Sequence, residues 1–174
     1  MASAQFRFEA LGTAHRRADF SCGEAALDEY IHRYARQQQT RGFNRSYVAT
    51  PASAEAIDAS RIAGFFSINA ASVMADELPD GLKLPRYPVP ILRIGRLAVD
   101  QRFQGAGLGR SLLRHGLALA LELSERVGIY AVVVDAKHDT AAAFYRKLGF
   151  APFAARPLSM YLPLATLADA ARKD

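Results

Sequence analysis

The sequence is poor in cysteine and has no long apolar run. Both absences exclude certain classes of protein. Cys22 is the single cysteine among 174 residues, so an intrachain disulfide and a metal site built on paired cysteines are excluded. No stretch reaches the roughly 18 to 20 apolar residues that span a bilayer. The opening residues MASAQFRFEALG lack the charged start and apolar core of a signal peptide. We therefore expect a cytoplasmic protein with no metal and no membrane partner.

Acidic residues are absent from residues 30–54, although the whole chain carries 22 basic and 17 acidic residues. The arginines of this acid-free stretch are Arg33, Arg36, Arg41 and Arg45. A second basic stretch, residues 81–114, holds seven basic residues and one acid, and the five acids of residues 51–80 separate the two. This distribution indicates a polyanionic partner met by specific faces. Solvated arginines around a phosphate-bearing cofactor are the alternative.

The chain shows no internal repeat and no low-complexity tract, and its length suits one domain, residues 1–174. The pattern predicts a helix from Ser21 to about Gln39, with Ser21 and Glu24 as a capping box. Further strands are predicted over QFRFEAL, FNRSYVAT, RIAGFFSINAASV, ILRIGRLAVD, IYAVVVDA and LSMYLPL, and further helices after Gly107 and over DTAAAFYRKLGF. Residues 51–60 and 75–90 are predicted loops. This order predicts an α/β or α+β sheet domain.

The segment QGAGLG, residues 104–109, follows a predicted strand and opens a predicted helix. Such a turn exposes unpaired backbone N–H groups beside the positive end of a helix dipole, so the sequence predicts an anion site. A nucleoside-triphosphate loop needs lysine after its last glycine, and here Arg110 follows. A dinucleotide fingerprint that starts at Gly105 needs glycine at position 110. Both motifs are excluded, and an ordinary helix-start turn stays the alternative.

The remaining pattern, Q-x-x-G-x-G from Gln104 to Gly109, resembles the pyrophosphate-binding signature of the GNAT acetyltransferase superfamily. The strands RLAVD and VVVDA and the segment AFYRKLGF extend the resemblance over residues 91–150. With DFSCGEAALDEYIHRYARQQ, RSYVA, IAGFFSINAASV and PLSMYLPL, nearly the whole chain is similar to the GNAT toxins of bacterial toxin/antitoxin modules. The resemblance implies the GNAT fold, a mixed central sheet that is split by a V-shaped cofactor cleft and flanked by helices.

The resemblance also implies a function: an acetyl-CoA-dependent N-acetyltransferase that acetylates the α-amino group of aminoacyl-tRNA and so blocks translation. It implies a ribbon-helix-helix antitoxin as partner and indicates homodimer formation. It assigns cofactor binding to the backbone of Leu97, Ala98, Val99, Gln104, Gly105, Ala106, Gly107, Leu108, Gly109 and Arg110. At Gly107 and Gly109 a Cβ would push the phosphates away.

Tyr145 is the catalytic residue that the resemblance implies, as the acid that protonates the leaving coenzyme thiolate. Its neighbour Phe144 is expected to fill the core instead. His138 stands where many GNAT enzymes carry an asparagine that contacts the cofactor, so this contact is in doubt. We expect His115 at the edge of the core, and His15 and His32 on the surface.

No carboxylate in the strand before the turn is an evident general base, because Asp100 stands at its far end. An α-amine with a pKa of about 7.7 to 8.0 is partly neutral near pH 7, whereas an amine of pKa about 10.4 needs a base. This favours an aminoacyl-tRNA substrate, whose phosphates a basic surface would bind. The residues expected to bind tRNA are Arg33, Arg36, Arg41, Arg45 and Arg93, with Arg86 and Arg96 as further candidates.

Two other functions stay open at this point. One is an acetyltransferase for a protein N-terminus, a polyamine or another small amine. The other is a nucleic-acid-binding module whose glycine turn contacts backbone phosphate and which binds no acetyl-CoA.

Overall fold

Strands and helices alternate along the chain, as the hydrophobic pattern predicts. The computed structural model describes residues 5–52, 56–79 and 81–173. In chain order the elements are β1 (Phe6–Ala10), α1 (Ala25–Glu29), a π-helical turn (Tyr30–Tyr34), α2 (Ala35–Thr40), β2 (Arg45–Pro51), α3 (Ala56–Ala59), β3 (Gly64–Val73), a 3-10 turn (Ala75–Glu77), β4 (Val89–Val99), a second 3-10 turn (Gln101–Phe103), α4 (Leu108–Ser124), β5 (Ala131–Asp135), α5 (Asp139–Lys147), β6 (Ala151–Pro152), β7 (Ser159–Pro163) and α6 (Leu164–Lys173). Residues 53–55 and 80 of the predicted loops lie outside the described residues.

Seven strands form a mixed sheet in the order β1-β2-β3-β4-β5-β7-β6. The pair β4 and β5 is parallel, and β1–β2, β2–β3, β5–β7 and β6–β7 are antiparallel. A parallel pair needs a long crossover connection, and α4 lies in the one that joins β4 to β5. The predicted α/β class with a mixed sheet and flanking helices is confirmed.

The described chain falls into two compact units, one formed by residues 1–69 and 96–116 and the other by residues 70–95 and 117–174. The chain passes from one unit to the other within β3, within β4 and within α4. The single domain over residues 1–174 stays a prediction. Among the described residues, no helix combines the length and apolar character needed to cross a membrane.

In the first unit, the apolar core is built from aromatic and branched side chains of the strands and of the helical segment 25–40. Its buried residues are Leu11, Phe20, Leu27, Tyr30, Ile31, Ala35, Val48, Ile62, Phe65 and Ala98. Gly64 at the start of β3 permits a close approach, since a Cβ there would lie 2.7 Å from Leu112 Cδ1 and 3.0 Å from the Ala98 carbonyl oxygen. A larger residue at this position would force β3 away from β4 and α4.

The predicted helix start at Ser21 is wrong. The helix begins at Ala25, and Glu24 precedes it without a side-chain cap. The Ser21 N–H donates to Asp100 Oδ2 at 3.1 Å, and the Cys22 N–H donates to Asp28 Oδ1 at 2.8 Å. Ser21 and Glu24 therefore form no capping box, because a residue 79 positions along the chain holds the Ser21 backbone.

In the second unit, the core is built on β5, which is buried along almost its whole length because four of its five residues are apolar. The core residues are Val73, Leu78, Val89, Ile91, Ala131, Val133, Phe153 and Tyr161. β6 and α6 are present although the sequence pattern predicted neither. In the first unit, the short helix α3 likewise lies within residues 51–60, which were predicted as a loop. Gly149 ends α5 with a φ of +98°, as predicted for its C-cap.

Candidate functional site

The glycine turn lies between the end of β4 and the start of α4, where the sequence predicts it. Gly105 has a φ of +85° and Gly107 a φ of +82°, a backbone region that residues with a Cβ rarely adopt. Nothing lies within 4 Å of the place where a Cβ would stand at either glycine. Gly109 has ordinary helical geometry, and a Cβ there would make only normal contacts with Val99 and Leu97. Glycine is thus required by the turn at positions 105 and 107, but the protein itself does not require it at 109.

Asp100 fixes the backbone that leads into this turn. Its side chain is only 1% exposed, and it accepts hydrogen bonds from the Ser21 N–H at 3.1 Å and the Arg102 N–H at 2.9 Å. The Arg102 guanidinium adds two more, from Nε and Nη2, each at 2.8 Å. Burial raises the pKa of the Asp100 carboxyl, and the Ser21 N–H and the charge of Arg61 oppose that rise. Asp100 therefore acts as a buried tie between residue 21 and the turn.

Gln104 holds the turn from the other side. Its Nε2 donates to the carbonyl oxygen of Val99 at 2.9 Å and to that of Cys22 at 3.1 Å. The side chain of the glutamine in Q-x-x-G-x-G is thus a brace that points back into the protein. Gln104 can still offer a ligand its backbone N–H, and its predicted contact with the cofactor stays a prediction.

Backbone donors remain available at the start of α4. In the part of the chain that the structure describes, the N–H groups of Gly107, Leu108, Gly109 and Arg110 donate to no other residue. The first bond of the helix is donated by Ser111 to the Gly107 carbonyl oxygen at 3.2 Å. Because α4 is 17 residues long, its dipole adds positive potential at these donors. This arrangement can bind an anion such as a diphosphate.

The end of β4 offers a backbone edge. The pairing of β4 with β5 covers Ile91–Ile94, and Leu97, Ala98 and Val99 lie beyond it. The Ala98 side chain is buried, while those of Leu97 and Val99 are half-buried. These three residues can therefore pair through their backbone with an extended ligand, and the cofactor contact that the resemblance assigns to them stays a prediction.

Tyr145 lies on α5 in the second unit, and its side chain is 7% exposed. Its ring makes edge contacts with the rings of Phe144 and Phe150, at centroid distances of 5.3 and 5.7 Å. No hydrogen bond to its hydroxyl group is found among residues 5–52, 56–79 and 81–173. Burial, with a smaller contribution from the charge of Asp135, raises the pKa of Tyr145 to about 12. The hydroxyl group is thus protonated at neutral pH and can act as a proton donor.

The expectation that Phe144 fills the core in place of Tyr145 is wrong. Phe144 is half-buried, and Tyr145 is the buried aromatic residue of α5. Tyr145 packs in the core through its ring, and its hydroxyl group, which has no hydrogen-bond partner in the described chain, is available to a ligand.

Arg93 is engaged within the second unit. Its guanidinium forms an ion pair with Asp135, whose other carboxylate oxygen accepts a hydrogen bond from Ser159 Oγ at 2.7 Å. Arg93 was predicted to bind tRNA, but its positive charge is largely compensated by Asp135.

The other predicted tRNA-binding arginines lie in the first unit. Arg33 is 74% exposed in its side chain and approaches Glu29 at 3.7 Å, a weak exposed pair. Arg36 is half-buried, and Arg45 is exposed at the start of β2. The Arg41 guanidinium lies 4.9 Å from the centroid of the exposed Phe43 ring. Of the further candidates, Arg86 is exposed, and Arg96 stacks on the buried Tyr30 ring at 3.8 Å.

The histidines have structural partners. The His115 ring stacks on the Phe8 ring at a centroid distance of 5.1 Å, and burial lowers the pKa of His115. Both observations agree with the predicted position of His115 at the edge of the core. His15 and His32, which were expected on the surface, are half-buried. His15 Nδ1 accepts from the Gly12 N–H at 2.8 Å, and His32 Nε2 lies 2.7 Å from the Phe20 carbonyl oxygen.

His138 caps α5. Its Nδ1 accepts a hydrogen bond from the Ala141 N–H at 3.2 Å. No group of three or more metal-ligating side chains occurs in the described ranges of the chain.

Sequence reasoning missed the buried tie at Asp100 and the π-helical turn, which includes His32 and Arg33. The sequence did contain a signal for this tie, namely an acid at the end of a predicted strand that is followed two residues later by an arginine. Nothing in the local pattern marks the π-helical turn.

Comparison with known proteins agrees with this geometry. The model of the acetyltransferase (GNAT) domain matches residues 43–152. A tRNA-acetylating toxin of Mycobacterium tuberculosis is 33% identical over 145 residues, which cover 82% of each chain.

Solved structures share the fold. A tyrosine-to-phenylalanine mutant of KacT superposes with a TM-score of 0.88 at 25% identity, over 95% of this chain and 99% of that one. AtaT complexed with acetyl-methionyl-tRNAfMet gives a TM-score of 0.86 at 24% identity, over 95% and 98%. An AtaT mutant toxin bound to the C-terminus of the antitoxin AtaR gives 0.80 at 22% identity, over 95% and 98%. The glycine turn, the strand before it and the domain match together show that the chain belongs to the GNAT acetyltransferase family.

Proposed function

We propose that this protein is a toxin that transfers the acetyl group of acetyl-CoA to the α-amino group of aminoacyl-tRNA and thereby blocks translation. The observation that carries the proposal is the braced glycine turn at the end of β4, with four unpaired N–H groups at the start of α4. The 33% identity to a tRNA-acetylating toxin supports the choice of acceptor.

The donor fits the residues that are present. Acetyl-CoA supplies a diphosphate for the turn and a thioester that an amine can attack. The backbone of Gln104 to Arg110 binds the diphosphate, with open space over Gly105 and Gly107. The backbone of Leu97, Ala98 and Val99 pairs with the pantetheine arm, and one of these N–H groups polarises the thioester carbonyl.

Tyr145 donates its proton to the thiolate that leaves, and the resulting tyrosinate takes up, directly or through solvent, the proton that the attacking nitrogen loses. The pKa of the phenol is about 12, and that of a thiol in water is about 8.5. Proton transfer from the phenol to a thiolate in water is therefore uphill by roughly 5 kcal/mol. The transfer is therefore efficient only if the sulfur is desolvated together with the phenol, since burial also raises the pKa of a thiol. The ring of Tyr145 is buried, and its accessible, unpaired hydroxyl group can meet the sulfur of a bound donor that covers it from solvent.

The acceptor amine needs no strong base in this scheme. The carboxylate nearest to the turn, Asp100, is buried and saturated by donors, so it cannot accept the amine proton. An α-amine of pKa about 7.7 to 8.0 is partly neutral already, whereas a polyamine or lysine amine of pKa about 10.4 is not. The arginines at positions 33, 36, 41 and 45 bind the tRNA phosphates.

The proposed substrate and partner set where the protein acts. Aminoacyl-tRNA is a cytoplasmic substrate, so we infer a cytoplasmic protein, with a ribbon-helix-helix antitoxin as its neutralising partner. Homodimer formation stays a prediction of the family resemblance.

The direct test supplies labelled acetyl-CoA with charged tRNA, uncharged tRNA or spermidine. We expect label on charged tRNA alone, released as N-acetyl-amino acid by alkaline hydrolysis of the ester. Label on spermidine but not on charged tRNA would replace this function with that of a small-amine acetyltransferase. If calorimetry shows no binding of acetyl-CoA, acetyl transfer itself is wrong and a nucleic-acid-binding module takes its place.

A further inference from the structure

An open cavity of about 420 Å³ lies in the first unit, outside the glycine turn. Its lining consists of His15, Arg16, Arg17, Ala18, Asp19 and His32. The two arginines of the lining outnumber its one carboxylate, so the lining carries a net positive charge. None of these residues takes part in the donor site described above.

The positive charge of this cavity is only partly compensated by the protein. Asp19 forms an ion pair with Arg16, so the carboxylate is already in use. Arg17 is half-buried, and its Nη1 donates to the His32 carbonyl oxygen at 3.3 Å. No carboxylate of the described residues forms an ion pair with Arg17. A half-buried guanidinium that faces a cavity without a counter-charge favours an anionic ligand.

Hydrogen bonds hold both histidine rings of the lining. His15 is held at both ring nitrogens, by the Gly12 N–H at 2.8 Å and by Glu9 Oε1 at 3.1 Å. The His32 ring is held by the Phe20 carbonyl oxygen at 2.7 Å. These two rings are therefore held in place before any ligand binds, which lowers the entropy cost of binding beside them.

The cavity adjoins the donor turn and the acid-free stretch. The Asp19 carbonyl oxygen accepts a hydrogen bond from Arg102 Nη2 at 3.1 Å, and Arg102 precedes Gln104 by two residues. On the other side, His32 is followed directly by Arg33 in the stretch that has no acid. An anion in the cavity is thus held by the segment that also braces the donor turn. A macromolecular substrate whose amine must reach the donor would place a phosphate here.

We propose that this cavity binds a backbone phosphate of the RNA substrate, with Arg17 as the principal ligand. The proposal rests on the proposed function, because it assigns part of the tRNA to a defined cavity. A guanidinium binds phosphate oxygens through two parallel N–H donors, which a lone lysine cannot do. The 3′-phosphate of the coenzyme has the same chemistry and is the other source that the test must separate.

Two variants perturb anion binding in the cavity in different ways. Arg17→Gln removes the ligand, and Ala18→Glu places a carboxylate at an exposed lining position without removing any contact. Arg126→Gln is the matched control, because this exposed arginine lies on the turn after α4 and loses the same charge. The readouts are KM for charged tRNA, KM for acetyl-CoA, and the dependence of kcat/KM on salt.

We expect both variants to raise KM for charged tRNA about tenfold, with kcat and KM for acetyl-CoA unchanged. In Arg17→Gln the slope of log kcat/KM against log salt should be shallower by about 0.7 to 0.9, the value for one lost phosphate contact. Arg126→Gln should match the wild type in KM and slope.

Three results would overturn the proposal. An unchanged KM for charged tRNA in both variants means that no RNA phosphate binds there. A rise in KM for acetyl-CoA that disappears with acetyl-dephospho-CoA assigns the cavity to the coenzyme. Weakened binding of an acidic antitoxin peptide, with tRNA binding intact, assigns it to the antitoxin. If the wild type does not acetylate charged tRNA, the proposed function fails, and binding of uncharged tRNA to the same variants still decides the cavity.

Discussion

At the scale of single residues, Tyr145 combines burial with a hydroxyl group that has no protein partner in the described chain. Most buried tyrosines use the hydroxyl group in a hydrogen bond, because an unpaired buried donor costs about 1 to 3 kcal/mol. Tyr30 does so, with its hydroxyl group 2.9 Å from Asn44 Oδ1. The Tyr145 hydroxyl has no such bond, and it is not among the fully buried unpaired polar atoms of the described residues. It is therefore accessible to a ligand, and this accessibility favours chemistry over packing.

Tyr145→Phe should lower kcat at least tenfold and leave KM for acetyl-CoA nearly unchanged, because it removes the proton donor and keeps the ring. Steady-state acetyl transfer with charged tRNA measures both constants. Tyr161→Phe is the matched control, a second buried tyrosine of the same unit on β7. Equal turnover in Tyr145→Phe and the wild type would remove Tyr145 from the mechanism.

The raised pKa of Tyr145 also predicts how stability changes at high pH. The neutral phenol is favoured in the folded protein, so this group contributes stability below its unfolded pKa of about 10, and the contribution is lost as pH rises towards 12. Free energies of unfolding from urea titrations at pH 9 and 11 should therefore fall less in Tyr145→Phe than in the wild type. An identical fall in both would show that Tyr145 ionises as it does in the unfolded chain.

The motif predicted where the glycine turn lies, and predictions of burial failed where distant contacts decide it. The roles that the motif assigns to single residues stay predictions. The positions of Tyr145 and of the glycines come from the motif. Whether Tyr145 or Phe144 is buried depends on a rotation of the helix by one residue. The hydrogen bonds of His15 and His32 depend on residues outside their local sequence pattern.

At the scale of elements, the turn between β4 and α4 depends on the buried tie at Asp100. Asp100→Asn should lower the free energy of unfolding by about 2 kcal/mol, since Arg102 and the Ser21 N–H lose a charged acceptor. It should also raise KM for acetyl-CoA, because the turn is less well held. Chemical denaturation and steady-state kinetics measure the two effects. Asp169→Asn, in an exposed pair with Arg172, should change neither.

Alanine substitutions at the turn glycines distinguish two reasons for glycine: a positive φ in the turn and space for the ligand. Gly107→Ala should cost about 1 kcal/mol of stability, because its φ of +82° is unfavourable for a residue with a Cβ. Gly109→Ala should keep or slightly raise the thermal midpoint, since the position is helical and a Cβ there fits. If the diphosphate lies over this position, Gly109→Ala should nevertheless raise KM for acetyl-CoA. An unchanged KM would show that Gly109 is not needed for clearance.

The elements themselves were largely predictable, and their exact ends were not. Apolar periodicity located the strands and the long helices, because burial on one face imposes it. The helix after Phe20 begins four residues later than its local pattern predicts, because Asp100 binds the Ser21 N–H from another part of the chain. β6 is two residues long, too short to leave a periodic pattern.

At the scale of the whole molecule, the position of uncompensated positive charge matters more than the net charge of +5. In the second unit, Arg93 pairs with Asp135 and Arg156 with Glu77. Residues 30–54 have no acid of their own, and Arg41 and Arg45 are exposed there. A phosphate backbone should therefore be attracted to the acid-free stretch rather than to the arginines of the second unit.

The double variant Arg41→Gln/Arg45→Gln tests this distribution. At low salt it should lower kcat/KM for charged tRNA about tenfold, and the difference from the wild type should shrink as salt rises, because salt weakens phosphate contacts in the wild type first. KM for acetyl-CoA should stay the same. The variant Arg126→Gln/Arg172→Gln removes the same charge from the second unit and should behave like the wild type. If the two double variants lose activity equally at every salt concentration, net charge governs the encounter with tRNA and the acid-free stretch has no special role.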